Sequence, residues 1–139
     1  MSKNADPALG RLFDAARAAR ERAYAPYSHF AVGAAIISES GLVHAGCNVE
    51  NAAYPQGSCA EAGAISAMIV AGERRIRHIV VVGAGEELVT PCGGCRQRIR
   101  EFAGAETLVH VADLKGIRSS FRISELLPYS FGPQNLTHS

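Results

Sequence analysis

Three cysteines and one glutamate restrict this chain more than any other feature. Pro91-Cys92-Gly93-Gly94-Cys95 contains a Cys-x-x-Cys pair, and one turn of chain is enough to aim both sulfurs at a single metal ion. Taken alone, the pair fits a redox dithiol as well as a metal site. Upstream stands Cys59-Ala60-Glu61, with 32 residues between Cys59 and Cys92. If all three cysteines share one ion, the fold must bring two distant segments together, each at or near the start of a helix. Three thiolates leave one position of a tetrahedral zinc open, as catalytic zinc requires. Water there is acidified toward neutrality. Glu61, two residues past its ligand, faces that position without binding the metal and is placed to move protons. The helix N-termini are expected to lower the pKa values of Cys59 and Cys92. Two competing readings remain at this point: a redox dithiol, and a structural zinc site completed by Cys47. Against the second, Cys47 sits in the apolar setting Ala45-Gly46-Cys47, where a buried free thiol is common.

The rest of the chain must supply a core around that site. Its 139 residues, 47% of them apolar, suffice for one domain without disulfide staples, and no repeat or Pro/Gly linker divides them. The expectation is a single domain over 1–139, with 1–6 as a loose tail. Asp6-Pro7 reads as an N-cap and first helical residue. Leu9, Leu12, Phe13, Ala16, Ala19 and Ala23 then give a helical stripe to about Tyr24. Strands are expected at 30–37, 42–47, 78–82, 107–112 and 121–123. Helices are expected at 59–71 and 92–102, with a last one opening at 124–127. The order implies a three-layer α/β/α domain around a five-stranded mixed sheet. Ala62, Gly63, Ala64, Ala67 and Ala71 make the second helix small on the surface, suited to close packing within or between subunits.

Charge excludes some partners. Fourteen Lys and Arg against thirteen Asp and Glu give no electrostatic reason for a nucleic acid or an anionic membrane. No apolar run approaches the ~20 residues of a membrane span, and no secretory leader is evident; a cytoplasmic protein is expected. His29, His44, His78, His110 and His138 share no metal-ligand spacing and read as surface or sheet positions.

Further motifs extend the pattern: Tyr27-Ser28-His29-Phe30 with Val32-Gly33-Ala34-Ala35; Gly46-Cys47-Asn48-Val49-Glu50-Asn51-Ala52-Ala53-Tyr54; Arg96-Gln97 after the Cys-x-x-Cys; Glu125-Leu126-Leu127-Pro128; and Phe131-Gly132-Pro133. With Cys59-Ala60-Glu61 and Pro91–Cys95 they make the chain, from about Ala25 to Pro133, similar to the small homotetrameric cytidine deaminases. The resemblance implies one Zn²⁺ per subunit on Cys59, Cys92 and Cys95, with Glu61 as proton shuttle. It implies hydrolysis of free cytidine and deoxycytidine to uridine and deoxyuridine plus ammonia, in pyrimidine salvage. Asn48 and Glu50 would bond the 3′-hydroxyl side of the sugar, and Phe30 would line the base pocket. Cys59 and Ala60 would meet the base through their backbone. Phe131 would reach a neighbouring subunit's site. Tyr54, read from its place in the sequence, either shapes the loop that carries Asn48 and Glu50, as a substrate-site residue, or packs. From the sequence alone, Phe30 and Phe131 would be assigned to core packing.

One position departs from the family. Residue 62 is Ala, where these enzymes usually carry an Arg that donates to the zinc thiolates. Zinc with three thiolates is formally −1, which weakens its pull on bound water. Arg96 and Arg98 are the expected substitutes. Other readings are a related aminopyrimidine or cytosine-containing antibiotic nucleoside as substrate, and a silent zinc protein acting through partners. Glu61 argues against the last.

Overall fold

A computed structural model describes residues 7–137; the expected tail and the Asp6 cap lie outside them, as does His138. Helix α1 spans Pro7–Arg20 and buries Ala8, Leu9, Leu12, Phe13 and Ala16, a stripe at helical spacing. It ends four residues before the expected Tyr24 because the backbone there has another partner. The Tyr24 N–H donates to the Asn48 carbonyl at 3.0 Å, and Tyr24 bridges Val49.

A hairpin follows, β1 Val32–Ser38 and β2 Val43–Cys47, turned at Gly41 with φ +94°. Then come α2 Ala60–Val70, β3 Ile76–Gly83, α3 Gly93–Phe102, β4 Ala103–Ala112, β5 Ile117–Arg122 and the one-turn α4 Ile123–Leu126. The strands form one sheet in the order β2-β1-β3-β4-β5. Only β3 and β4 are parallel; the other neighbours are antiparallel. The expected mixed sheet of five strands is the observed one.

Alternation along the strands sorts the core into two halves. Ala35, Ile37, Val80, Val82 and Ala112 face α1. Ala34, Ile36, Ile79, Val81 and Val109 face the other way, onto Ala60, Ala64 and Met68 of α2 and Ile99 of α3. Covered on both faces, β3 is a near-continuous apolar run rather than an alternating one.

Two glycines set the helix-to-sheet distance. A Cβ on Gly46 would lie 2.3 Å from the Ala64 nitrogen and 2.7 Å from the Ala60 oxygen, so α2 rests on the backbone of β2. A Cβ on Gly33 would lie 2.0 Å from the Ala16 oxygen, so α1 rests likewise on β1.

Three strands are longer than expected: β3 gains residues at both ends, and β4 and β5 begin earlier. Gly104 does not break the chain: its N–H donates to Thr107 Oγ1, which donates in turn to the Ile76 carbonyl at 2.6 Å. Strand β5 runs back to Ile117 through Arg118, Ser119 and Ser120, an edge strand whose polar residues hide its period. Among the described residues, no helix is long and apolar enough to cross a membrane.

Candidate active site

The two helices on one face of the sheet begin at the cysteines. Cys59 is the N-cap of α2, Cys92 is the N-cap of α3, and Cys95 lies in the first turn of α3. Their sulfurs lie within 4.8 Å of one another, and those of Cys59 and Cys92 are 3.9 Å apart. Two thiolates on a tetrahedral zinc, at bonds of about 2.3 Å, sit about 3.8 Å apart. The donor set therefore fits zinc, with three sulfurs and one position left for water or substrate. Among the described residues Cys47 does not belong to this group; it lies on β2 opposite Gly33, which removes the four-cysteine alternative.

The thiols do not respond alike. Burial pushes Cys59 up, and pushes Cys95 up further, aided by the Glu61 charge. Cys92 is lowered, chiefly by the Cys95 backbone N–H. The expected lowering by a helix N-terminus thus holds at Cys92 and fails at Cys59, where loss of solvent outweighs it. Glu61, only 4% exposed, has its carboxyl raised by burial, against its own backbone N–H, the Cys95 thiol and the Arg98 charge.

Arg98 donates to Cys95 Sγ at 3.6 Å. A Cβ on Gly94 would come within 3.2 Å of that guanidinium, so the second glycine of Cys-Gly-Gly-Cys leaves it room. Arg96 does not reach a thiolate. Its guanidinium donates to the Pro91 carbonyl at 2.7 Å, the Leu126 carbonyl at 2.9 Å and Thr90 Oγ1 at 3.1 Å. The expectation that it compensates the thiolates is corrected: it ties the loop before α3 to α4.

A pocket of about 340 Å³ takes in Cys59, Ala60, Glu61 and Cys92, a size suited to a small ligand. Phe30 and Val32 line it from the chain before β1, and Asn48, Val49 and Glu50 from the chain after β2. Gly57 and Ser58 precede Cys59, and Val89 and Thr90 come from the loop before α3. Among the described residues no Lys or Arg lines it; its ionisable groups are Glu50, Glu61 and two thiols.

Asn48 and Glu50 both line the pocket, and both also build its edge. Asn48 Oδ1 accepts the Val32 N–H and Nδ2 donates to the Phe30 carbonyl, each at 2.9 Å. Glu50 Oε1 accepts the N–H groups of Tyr27 and Ser28 at 3.0 and 3.1 Å. Val49, between them, pairs with Ser58 through two backbone hydrogen bonds, joining this segment to the first cysteine.

Two expected site residues do not line this pocket. Tyr54 is three-quarters exposed and lines a neighbouring cavity with Tyr27, their ring centroids 5.9 Å apart. That cavity shares Glu50 and Gly57 with the first. Phe131 is exposed and does not line its own chain's pocket; its carbonyl accepts from Gln97 Nε2 at 2.9 Å. Sequence reasoning missed Val32, Val49, Ser58, Val89 and Thr90. Nothing in residue type marks them; they are found only through their neighbours Asn48, Cys59 and Cys92.

Residues 8–111 match the family described as the cytidine and deoxycytidylate deaminase zinc-binding region. The cytidine deaminase of Sporosarcina psychrophila is 40% identical over 129 residues, covering 93% of this chain and 95% of its own. That of Mycobacterium tuberculosis is 40% identical over 114 residues, 82% of each chain. A crystal structure of cytidine deaminase from Burkholderia pseudomallei superposes with a TM-score of 0.82 at 40% identity, over 94% of this chain and 100% of that one.

Proposed function

The chain belongs to the cytidine and deoxycytidylate deaminase family, and from that premise we propose that it hydrolyses free cytidine and deoxycytidine to the uracil nucleosides and ammonia, in pyrimidine salvage. The observation that carries this is the three-sulfur cluster beside the buried Glu61 in a pocket of nucleoside size. Cys59, Cys92 and Cys95 hold one zinc ion. Zinc, when bound, supplies an activated water as nucleophile for carbon 4 of the base. Glu61 takes the proton of that water and delivers protons to ring N3 and to the departing amine; a carboxyl raised by burial is suited to holding a proton in transit. Arg98, at the Cys95 sulfur, offsets the anionic thiolates in place of a cation at Ala62.

Phe30 and the backbone at Cys59 and Ala60 hold the base. Asn48 and Glu50 meet the 3′-hydroxyl with the capacity that the loop leaves unused: a second amide hydrogen on Asn48 and one lone pair on Glu50 Oε2. A 5′-phosphate would find two carboxylates and, among the described residues, no cation in the pocket wall, which favours nucleosides over nucleotides.

The subunit acts in a homotetramer. The reading is supported by exposed Tyr54, Val70, Tyr129 and Phe131, which suit burial against other copies. Phe131 then completes a neighbour's pocket. Three zinc thiolates and a free Cys47 suit the reducing cytoplasm.

The test is ammonia release from cytidine and deoxycytidine by the zinc-loaded protein, beside Glu61→Ala of equal zinc content. Activity confined to the parent supports the assignment. A folded, zinc-loaded parent that releases no ammonia from either nucleoside overturns it.

A further inference from the structure

The loop that presents Phe30 to the pocket is held at both ends by the segment that faces the sugar. Asn48 grips the chain at Phe30 and Val32, and Glu50 grips it at Tyr27 and Ser28. Between the two grips His29 has φ +58°, a left-handed conformation unfavourable to a residue with a Cβ. One atom joins the grips. Ser28 Oγ donates to Glu50 Oε2 and accepts the Phe30 N–H at 3.0 Å. A hydroxyl has one hydrogen to give and two lone pairs; here the hydrogen orients a carboxylate and a lone pair orients the residue that carries the ring.

We propose that Ser28 is a positioning residue for substrate binding, its hydroxyl fixing the Glu50 carboxylate and the Phe30 backbone in one arrangement. Sugar-side and base-side recognition are thereby set together, 22 residues away in sequence from the carboxylate. Ser28 does not line the pocket that holds Cys59 and Glu61, so it acts on affinity and not on the chemical step. The Glu50 carboxyl is held below the ordinary carboxylate range, first of all by the Ser28 hydroxyl, which agrees with an ionised acceptor kept in place. The proposal rests on the reading that Glu50 meets the sugar.

Ser28→Ala is expected to raise KM for cytidine about tenfold, the scale of one hydrogen bond to a charged group. Turnover should stay within about twofold and zinc content should not change. Ser28→Thr, which keeps the hydroxyl, should restore most of the affinity. With 3′-deoxycytidine, which gives Glu50 no hydroxyl to bind, Ser28→Ala should cost less than it does with cytidine. An unchanged KM for cytidine in Ser28→Ala, or an equal penalty on both nucleosides, overturns the proposal. Glu50→Ala in parallel separates the two levels. A raised KM in Glu50→Ala with none in Ser28→Ala removes the positioning role alone. A flat KM in Glu50→Ala removes the sugar reading, and the proposal with it. If Ser28→Ala folds poorly, Ser28→Cys keeps a weak donor of similar size and should give an intermediate KM; a KM equal to the parent's would overturn the proposal.

Discussion

Burial raises the thiols of Cys59 and Cys95, and that fixes the direction in which zinc affinity changes with pH. Raised thiols keep their protons at neutrality in the metal-free protein, so zinc must displace them. As pH rises, less proton displacement is needed; affinity should climb between about pH 6 and 8, and zinc uptake should acidify a weak buffer. Chelator competition across that range, with an indicator dye, measures both; a flat affinity would contradict the thiol assignment. Glu61→Gln should lower turnover by about 10²–10⁴-fold with zinc retained, the usual reach of a positioned proton carrier. Arg98→Gln should reduce zinc affinity and turnover. Arg96→Gln should leave the zinc in place and lower the melting temperature, since its partners are carbonyls and Thr90. Both arginines stood as expected substitutes, and helix spacing explains why the structure separates them. Arg98 is three residues past Cys95 and shares its helix face, whereas Arg96 is the next residue and points away. The clustering of Cys59, Cys92 and Cys95 near Glu61 was legible because their spacing is local to two helix starts. The loop bonds of Asn48 and Glu50 were not, because they join backbone groups 16 to 23 residues away, and residue type carries no trace of such partners.

At the scale of elements, the two backbone-to-backbone contacts make opposite predictions about function. Gly33→Ala forces α1 off β1 and should cost about 1–3 kcal/mol of stability, with zinc binding intact in the protein that still folds. Gly46→Ala pushes on Ala60 and Ala64, the turn of α2 that follows Cys59 and contains Glu61. It should cost a similar amount of stability and lower turnover as well. Thermal melts and zinc-normalised activity distinguish the two; equal activity in both variants would mean that α2 moves without disturbing the site. Elements with a dense apolar period, such as α1 and β3, were found where they lie. Ends were missed where tertiary pairing decides them. Tyr24 left the first helix for Asn48, and β4 ran through Gly104 because Thr107 took its N–H.

For the molecule as a whole, the pocket of one chain contains neither Tyr54 nor Phe131, and the family resemblance placed Phe131 at a neighbour's site. If neighbours share sites, Phe131→Ala should raise KM several-fold with zinc unchanged. Unfolding and refolding it together with Glu61→Ala should yield mixed assemblies with parent-like affinity at sites that combine an intact Glu61 with an intact Phe131. Affinity in the mixture that stays at the Phe131→Ala value would mean the sites are not shared. Oligomeric mass by light scattering gives the assembly size directly. The layering of the sheet was legible because alternation and helical period encode burial within a chain. Subunit contacts were not, because an exposed aromatic looks the same whether it meets solvent or another copy. The buried carboxyl of Glu61 also bears on how such a protein changes over generations. Heat selection without a demand for turnover would favour replacing Glu61 with an uncharged residue of similar shape, since burying a carboxyl costs stability. In lineages where the gene is kept but its product is no longer needed, this position is expected to drift early, while Gly46 and Leu12 hold.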